Sequence, residues 1–205
     1  MSNKIEVYGD SISGNCYKVQ LICAQLGIDH VWHELDLLKG AARTDEFRAM
    51  NPNGKTPLLK LADGRYLPES NAILYYFAQG TPLFAEDSYE AANIMNWMFF
   101  EQYSHEPYIA VARFIVVYLG NPPEEKENLE SKRPGGYKAL KVMEAQLSKD
   151  DFIANNRYSI ADIALYAYTH KAHEGGFDLA KYANVRDWLR RVEEQPGYVP
   201  MSDRH

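Results

Sequence analysis

The chain has 205 residues and a formal charge of -6, from 22 Lys and Arg against 28 Asp and Glu. That length allows one or two domains with a sizeable core, and the acidic balance excludes a broad nucleic-acid footprint. No apolar run approaches a membrane span, and the N-terminus, MSNKIEVYGD, lacks an apolar signal core. A cytoplasmic protein with neither membrane nor nucleic acid as partner is therefore expected, and an anionic small ligand would need a local basic cluster.

In chain order, Lys4 to Tyr8 alternates Ile5 and Val7 with polar neighbours and predicts a strand. Gly9 and Gly14 bracket a loop. From Asn15, the residues Val19, Leu21, Ile22, Cys23 and Leu26 recur at helical spacing, and Gly27 is a C-terminal stop. His30 to Leu38 reads as a second strand. Thr44-Asp45-Glu46-Phe47 reads as a short capped helix. NPNGK is a turn, Thr56 to Leu61 a strand interrupted by Pro57, and Asp63-Gly64 a hairpin leading into Arg65 to Leu67. Ser70 to Ala78 is an apolar helix closed by Gly80. The first eighty residues thus predict β-α-β-(α)-β-β-α, a small α/β layer.

After Thr81-Pro82 strand signals vanish. Ala91 to Leu119 predicts a long aromatic-rich helix that Pro107 kinks or splits. NPPEEKE and RPGG read as breaks, with a helix from Tyr137 to Leu147 after the second. Ser159-Ile-Ala-Asp162 resembles a capping box with Asp in place of Glu, opening a helix to about Ala172. Val185 to Glu194 is a last helix, stopped at Gln195-Pro196-Gly197. Two domains follow: α/β over 1–81 and all-helical over 87–205.

Cys16 and Cys23 lie on one predicted helix about two turns apart, roughly 10 Å by helix rise. That is too far for a disulfide, so reduced thiols are expected. The histidines, His30, His33, His105, His170, His173 and His205, form no ligand triad, although His170 and His173 share a helix face, so no metal is expected.

Four segments carry a resemblance: SGNCYKV between the first strand and helix, NPNGKTPLL at a turn, PESNAI at a helix start, and SIADI in the helical half. Each alone is weak; in this order they resemble the cytosolic glutathione S-transferase superfamily over essentially the whole chain. The resemblance implies a thioredoxin-like glutathione-binding domain followed by a helical bundle. It also implies glutathione as cosubstrate, no further cofactor, a homodimer, and transfer of glutathione to a small hydrophobic electrophile.

The residues are consistent with that chemistry. Glutathione carries two carboxylates, an ammonium and a thiol. Glu69 and Ser70 stand at a predicted helix start, where free N–H groups and the positive dipole end favour a carboxylate. Ser70 is either an ordinary N-cap or a hydroxyl donor to that carboxylate, and Glu69 can pair with the ammonium. In the family, the peptide bond corresponding to Thr56-Pro57 is cis, and the residue before the proline reads the ligand's cysteine through its backbone. Lys55 resembles the position that reaches the glycine carboxylate, and Arg43 is a second candidate.

A free thiol titrates near 8.5, and moving it two units takes about 2.7 kcal/mol. A hydrogen bond to a charged group supplies about 1.5–3 kcal/mol, and a helix N-terminus adds about 0.3–1. A donor at the head of the first helix therefore suffices. Matched to the serine-type classes, Ser13 is the activator; Asn15 and Cys16 are alternatives, Ser11 is a neighbour, and Tyr8 reads as strand. Cys16, near the first helical turn, is expected to have a lowered pKa and to be able to form a mixed disulfide. In the helical half, Tyr103, His105, Tyr108 and Arg113 flank Pro107 and are candidates for the electrophile pocket. A glutathione-dependent disulfide or peroxide reductase and a noncatalytic glutathione-binding protein are the competing readings.

Overall fold

The structure, a computed structural model, describes residues 4–201. The chain divides into two units: one of residues 4–79 with 196–201, the other of residues 80–195. His205 and the outer ends of the two expected domains lie outside the described residues.

The first unit runs β1 (Ile5–Gly9), α1 (Gly14–Leu26), β2 (His30–Glu34), α2 (Asp45–Met50), β3 (Leu58–Lys60), β4 (Tyr66–Pro68) and α3 (Ser70–Ala78). Strand β1 pairs in parallel with β2 and antiparallel with β3, and β3 pairs antiparallel with β4, giving the order β2-β1-β3-β4. The parallel pair needs a crossover, which α1 supplies, and the tight β3–β4 hairpin turns at Gly64 with φ 89°. Period-2 alternation decides the two faces. Val7 opposes Leu59 in the ladder, and both are fully buried. Tyr8 and Leu58, one residue along, belong to the opposite face, in a cluster with Phe47 of α2. Thr44 caps α2 by accepting the Phe47 N–H at 3.2 Å.

The second domain was expected to extend to residue 205, but residues 196–201 fold with the first unit. Tyr17 Oη donates to the Val199 carbonyl at 2.7 Å, and a Cβ on Gly197 would stand 2.8 Å from Gln25 Cα. The Tyr17 contact spans 182 positions and has no periodic signature in the sequence.

The second unit contains α4 (Ser88–Phe100), α5 (Glu106–Arg113), α6 (Lys126–Leu147), α7 (Ile160–Thr169) and α8 (Ala183–Glu193). The expected long helix does split near Pro107. A π-helical turn at Glu101–His105, closed by the Glu106 N–H on the Glu101 carbonyl, absorbs the proline at the start of α5. A second π-helical turn, Phe114–Tyr118, ends the run.

RPGG is not a break. Helix α6 passes through Pro134, Gly135 and Gly136. A Cβ on Gly135 would stand 2.2 Å from the Tyr108 ring, and one on Gly136 would stand 2.3 Å from Phe177. Helix interiors disfavour Gly by about 1 kcal/mol and Pro by about 3. Close packing of two aromatic rings on the bare backbone opposes that penalty, and tertiary contact overrides propensity. The Ser159–Asp162 capping box forms at the head of α7.

Candidate active site

The head of α1 follows directly from the end of β1. Asp10 turns the chain: its carbonyl accepts the Ser13 N–H and its carboxylate the Ile12 N–H, each at 3.0 Å. Ser13 takes the N-cap position, with φ -78° and ψ 128°, yet its side chain makes no capping bond. An N-cap serine ordinarily directs its oxygen at the N2 or N3 amide. Here the Ser13 hydroxyl bonds the Cys16 sulfur, and Ser13 remains only 9% exposed.

Cys16 corrects an expectation. Its place near the first turn predicted a lowered thiol pKa, but burial pushes it up to about 11. The side chain is fully buried, and desolvation outweighs the hydroxyls of Thr56 and Ser13 and the Asp10 N–H, which reaches the sulfur at 3.4 Å. Cys16 is thus a fully buried thiol that desolvation disfavours as a thiolate. Cys23 is also a buried free thiol, pushed up to about 12 by burial.

The Thr56-Pro57 bond is cis. Pro57 is buried and Thr56 half-buried. The sequence reading confined Thr56 to its backbone; the structure also engages its hydroxyl with Cys16. Lys55 is exposed, and its carbonyl accepts from Asn51 Nδ2 at 2.7 Å. Arg43 is exposed in a 3-10 turn, Ala41–Arg43. Tyr8 is committed elsewhere: its hydroxyl donates to Glu6 at 3.0 Å, and its ring stacks on His33 at 4.4 Å. The Lys60 ammonium, 2.8 Å away, does most to hold Glu6 down at about 2, with His33 and Tyr8 adding to the effect.

The head of α3 is strained. Glu69 adopts φ 70° and ψ 115°, a region that costs a side-chain-bearing residue about 1–3 kcal/mol. Ser70, the next residue, is 4% exposed. Its hydroxyl donates to Asn15 Oδ1 at 3.1 Å, so the heads of α1 and α3 are bonded across 55 positions. Lys18 was not foreseen. It is fully buried, and its Nζ donates to Ser70 Oγ at 3.4 Å and to Asn71 Oδ1 at 3.2 Å. A signal existed: Asn15, Lys18 and Ile22 fall at i, i+3 and i+7, so a lysine sits on the inward stripe of α1.

The residues flanking Pro107 separate into two environments. Tyr103 and Tyr108 share a cleft of about 190 Å³ with Phe100, Lys138 and Val142. His105 is fully buried with Nε2 2.9 Å from Thr169 Oγ1, and Arg113, 4% exposed, donates to Glu174 at 2.6 Å. These two are built into helix packing, not into that cleft. Among the described residues no group of three or more His, Cys, Asp or Glu could hold a metal ion, and no helix is long and apolar enough to cross a membrane.

Comparison with known proteins agrees with this architecture. Residues 12–79 match the glutathione S-transferase N-terminal domain, and residues 107–196 match the C-terminal domain. A glutathione S-transferase of Arabidopsis thaliana is 34% identical over 87% of this chain and 87% of its own. The disulfide-bond oxidoreductase YfcG of Escherichia coli is 28% identical over 89% of this chain and 87% of its own. The crystal structure of a glutathione S-transferase from Pseudomonas fluorescens superposes with a TM-score of 0.95 at 51% identity, over 97% of this chain and 99% of that one. With both domain models matched and the fold shared throughout, this chain belongs to the cytosolic glutathione S-transferase superfamily.

Proposed function

We propose that the chain conjugates the thiolate of glutathione to a small hydrophobic electrophile, working as a cytoplasmic homodimer with no resident cofactor. The observation that carries this reading is the N-cap hydroxyl of Ser13, which makes no capping bond to the backbone of α1. It can donate to a thiolate at the head of α1, where the helix dipole adds to the stabilisation. The serine need not take the proton, which leaves to solvent. The thiolate sulfur then forms the S–C bond while the electrophile's leaving group departs or its double bond takes up the electron pair.

The remainder of glutathione would lie along the same unit. The γ-glutamyl carboxylate meets the N–H groups and Ser70 hydroxyl at the head of α3, and exposed Glu69 pairs with the ammonium. The backbone of Thr56, before the cis proline, reads the cysteine in strand fashion. Exposed Lys55 and Arg43 suit the glycine carboxylate. The cleft beside Tyr103 and Tyr108 is the proposed electrophile site, aromatic-walled with a cation at Lys138. His105 and Arg113 have no part in it.

The test is the pKa of bound glutathione, followed by thiolate absorbance against pH. The expected result is a bound thiol ionised near neutrality in wild type, in Asn15→Ala and in Cys16→Ala, returning toward the free value only in Ser13→Ala. A wild type that leaves the thiol unshifted overturns the reading. The similarity to YfcG supports a second reading, reduction of a disulfide by two glutathiones that end as glutathione disulfide. Turnover of a small disulfide exceeding that of any electrophile would select it. The burial and raised pKa of Cys16 favour the second glutathione over Cys16 as the nucleophile in that reading.

A further inference from the structure

The turn that delivers Ser13 to the head of α1 is held at three amides. The Ile12 N–H donates to the Asp10 carboxylate and the Ser13 N–H to the Asp10 carbonyl, both inside the turn. The Ser11 N–H reaches outside it, donating to Glu34 Oε1 at 2.9 Å, 23 positions away at the end of β2. The Ser11 hydroxyl donates to the same oxygen at 3.1 Å. Neither Ser11 nor Glu34 takes part in the proposed glutathione contacts.

Glu34 is exposed, and a solvated glutamate ordinarily keeps much of its rotamer freedom. Here both carboxylate oxygens have donors. Oε2 accepts from Trp32 Nε1 at 2.6 Å. The Trp32 ring in turn lies against the bare backbone of Gly9, where an added Cβ would stand 2.9 Å from the ring and 2.9 Å from Cys16 Sγ. Gly9 is the register partner of Glu34 in the parallel ladder, and its carbonyl accepts the Leu35 N–H at 2.8 Å. The end of β2 is thus fixed to the end of β1, and Trp32 aims the carboxylate at the turn that follows.

The charge itself argues against a direct electrostatic role. A carboxylate two residues along the chain from a thiolate donor raises a nearby thiol's pKa, since like charges disfavour ionisation. What Glu34 supplies is geometry. We propose that Glu34 is a positioning residue for the transfer reaction: held by Trp32, it fixes Ser11 and so the aim of the Ser13 hydroxyl at the thiolate, without touching glutathione. The inference rests on Ser13 as the thiolate donor.

The sign of one measurement separates positioning from charge. Bound-thiol ionisation is followed by thiolate absorbance against pH, and dissociation constants of S-methylglutathione, which has no thiol proton, are measured by calorimetry. Glu34→Gln removes the charge, and its amide has a single accepting oxygen, so one of the two tethers is lost. The ionisation constant of bound glutathione is expected to fall about tenfold, one pH unit upward, with S-methylglutathione affinity within about twofold of wild type. Trp32→Phe keeps the charge and a ring against Gly9 but loses the indole donor; a fall of about threefold is expected. In a Ser13→Ala background, Glu34→Gln is expected to add nothing. A rise or no change in Glu34→Gln overturns the proposal, as does an equal fall with Ser13 absent, or an equal loss of S-methylglutathione affinity. If wild type leaves the thiol unshifted, or Ser13→Ala leaves it ionised, the Ser13 reading falls and this inference with it. If Ser13→Ala restores the free value and Glu34→Gln does nothing, only the role of Glu34 falls.

Discussion

Both units bury polar and charged side chains, and they use them differently. In the first unit, Asp10, Ser13, Lys18 and Ser70 gather at the heads of α1 and α3. In the second, Glu101, His105, Arg113, Asp162 and Thr169 are spread through the bundle. Asp162 illustrates the second use. Its carboxylate accepts from Ile153 N, Ser159 N, Ser159 Oγ and Trp188 Nε1, at 2.9 to 3.2 Å. Four donors from three places in the chain converge on one fully buried side chain. Ser13 is the converse, a residue at a capping position whose side chain does no capping. Burial of a polar group is therefore no sign of function by itself; what sets Ser13 apart is that a buried hydroxyl at a capping position makes no bond to the helix backbone.

If that distinction holds, polar changes in the bundle lower stability and leave glutathione affinity intact, while those at the helix heads do the reverse. Asp162→Ala is the largest expected effect. It strands several buried donors, each worth about 1–3 kcal/mol, so a loss of about 4 kcal/mol is expected in urea unfolding followed by Trp188 fluorescence. A loss below about 1 kcal/mol would mean that the cap is not a structural hub.

His170 provides a pH test within the same bundle. Burial pushes its imidazole down to about 4 from the usual 6.5, so the folded state favours the neutral ring. The unfolded chain takes up the proton first. The ring's contribution is complete above about pH 6.5 and is lost as pH falls toward 4, to a limit of about 3 kcal/mol. Asp162, which burial pushes up to about 6, acts in the opposite sense and gains as pH falls below 6. The comparison must therefore be made between wild type and His170→Phe, which keeps a ring to stack on Tyr166. The variant is expected to gain relative to wild type by about 3 kcal/mol between pH 7 and pH 4. A difference independent of pH would show that His170 is not held neutral.

Ser13→Ala is expected to lower kcat/KM about 10²-fold, the usual consequence of losing one donor to a developing anion. Because the hydroxyl caps nothing, unfolding should change by less than the roughly 1 kcal/mol typical of a lost N-cap. A drop in stability without a drop in rate would place Ser13 with the bundle's residues and erase the distinction. The smallest expected effect is that of Gly135→Ala, about 2 kcal/mol of instability from forcing the Tyr108 ring aside. The double change with Tyr108→Ala should recover most of it. Failure to recover would mean that the approach of α5 to α6 is not set by that ring.

Much of the molecule could be read from its residues. Local rules located β1, α1 and α3, the Asp63-Gly64 hairpin, the Thr44 cap of α2 and the Ser159–Asp162 box, because caps, turns and periodicity depend on neighbours a few positions apart. The same local order of motifs carried the family and the two-part fold. Four features needed the tertiary structure. RPGG stays helical because Tyr108 and Phe177 pack on the glycines. Residues 196–201 join the first unit because Tyr17 reaches Val199. The Cys16 thiol is pushed up to about 11 because its surroundings remove water, which no helix position can reveal. Lys18 faces Ser70 because α1 and α3 lie side by side, and the partner is 52 positions away. The sequence determined what each segment is, through short-range sterics and hydrogen bonding; folding alone decided which distant groups lose their water together, and that loss sets the charge and reactivity of the site.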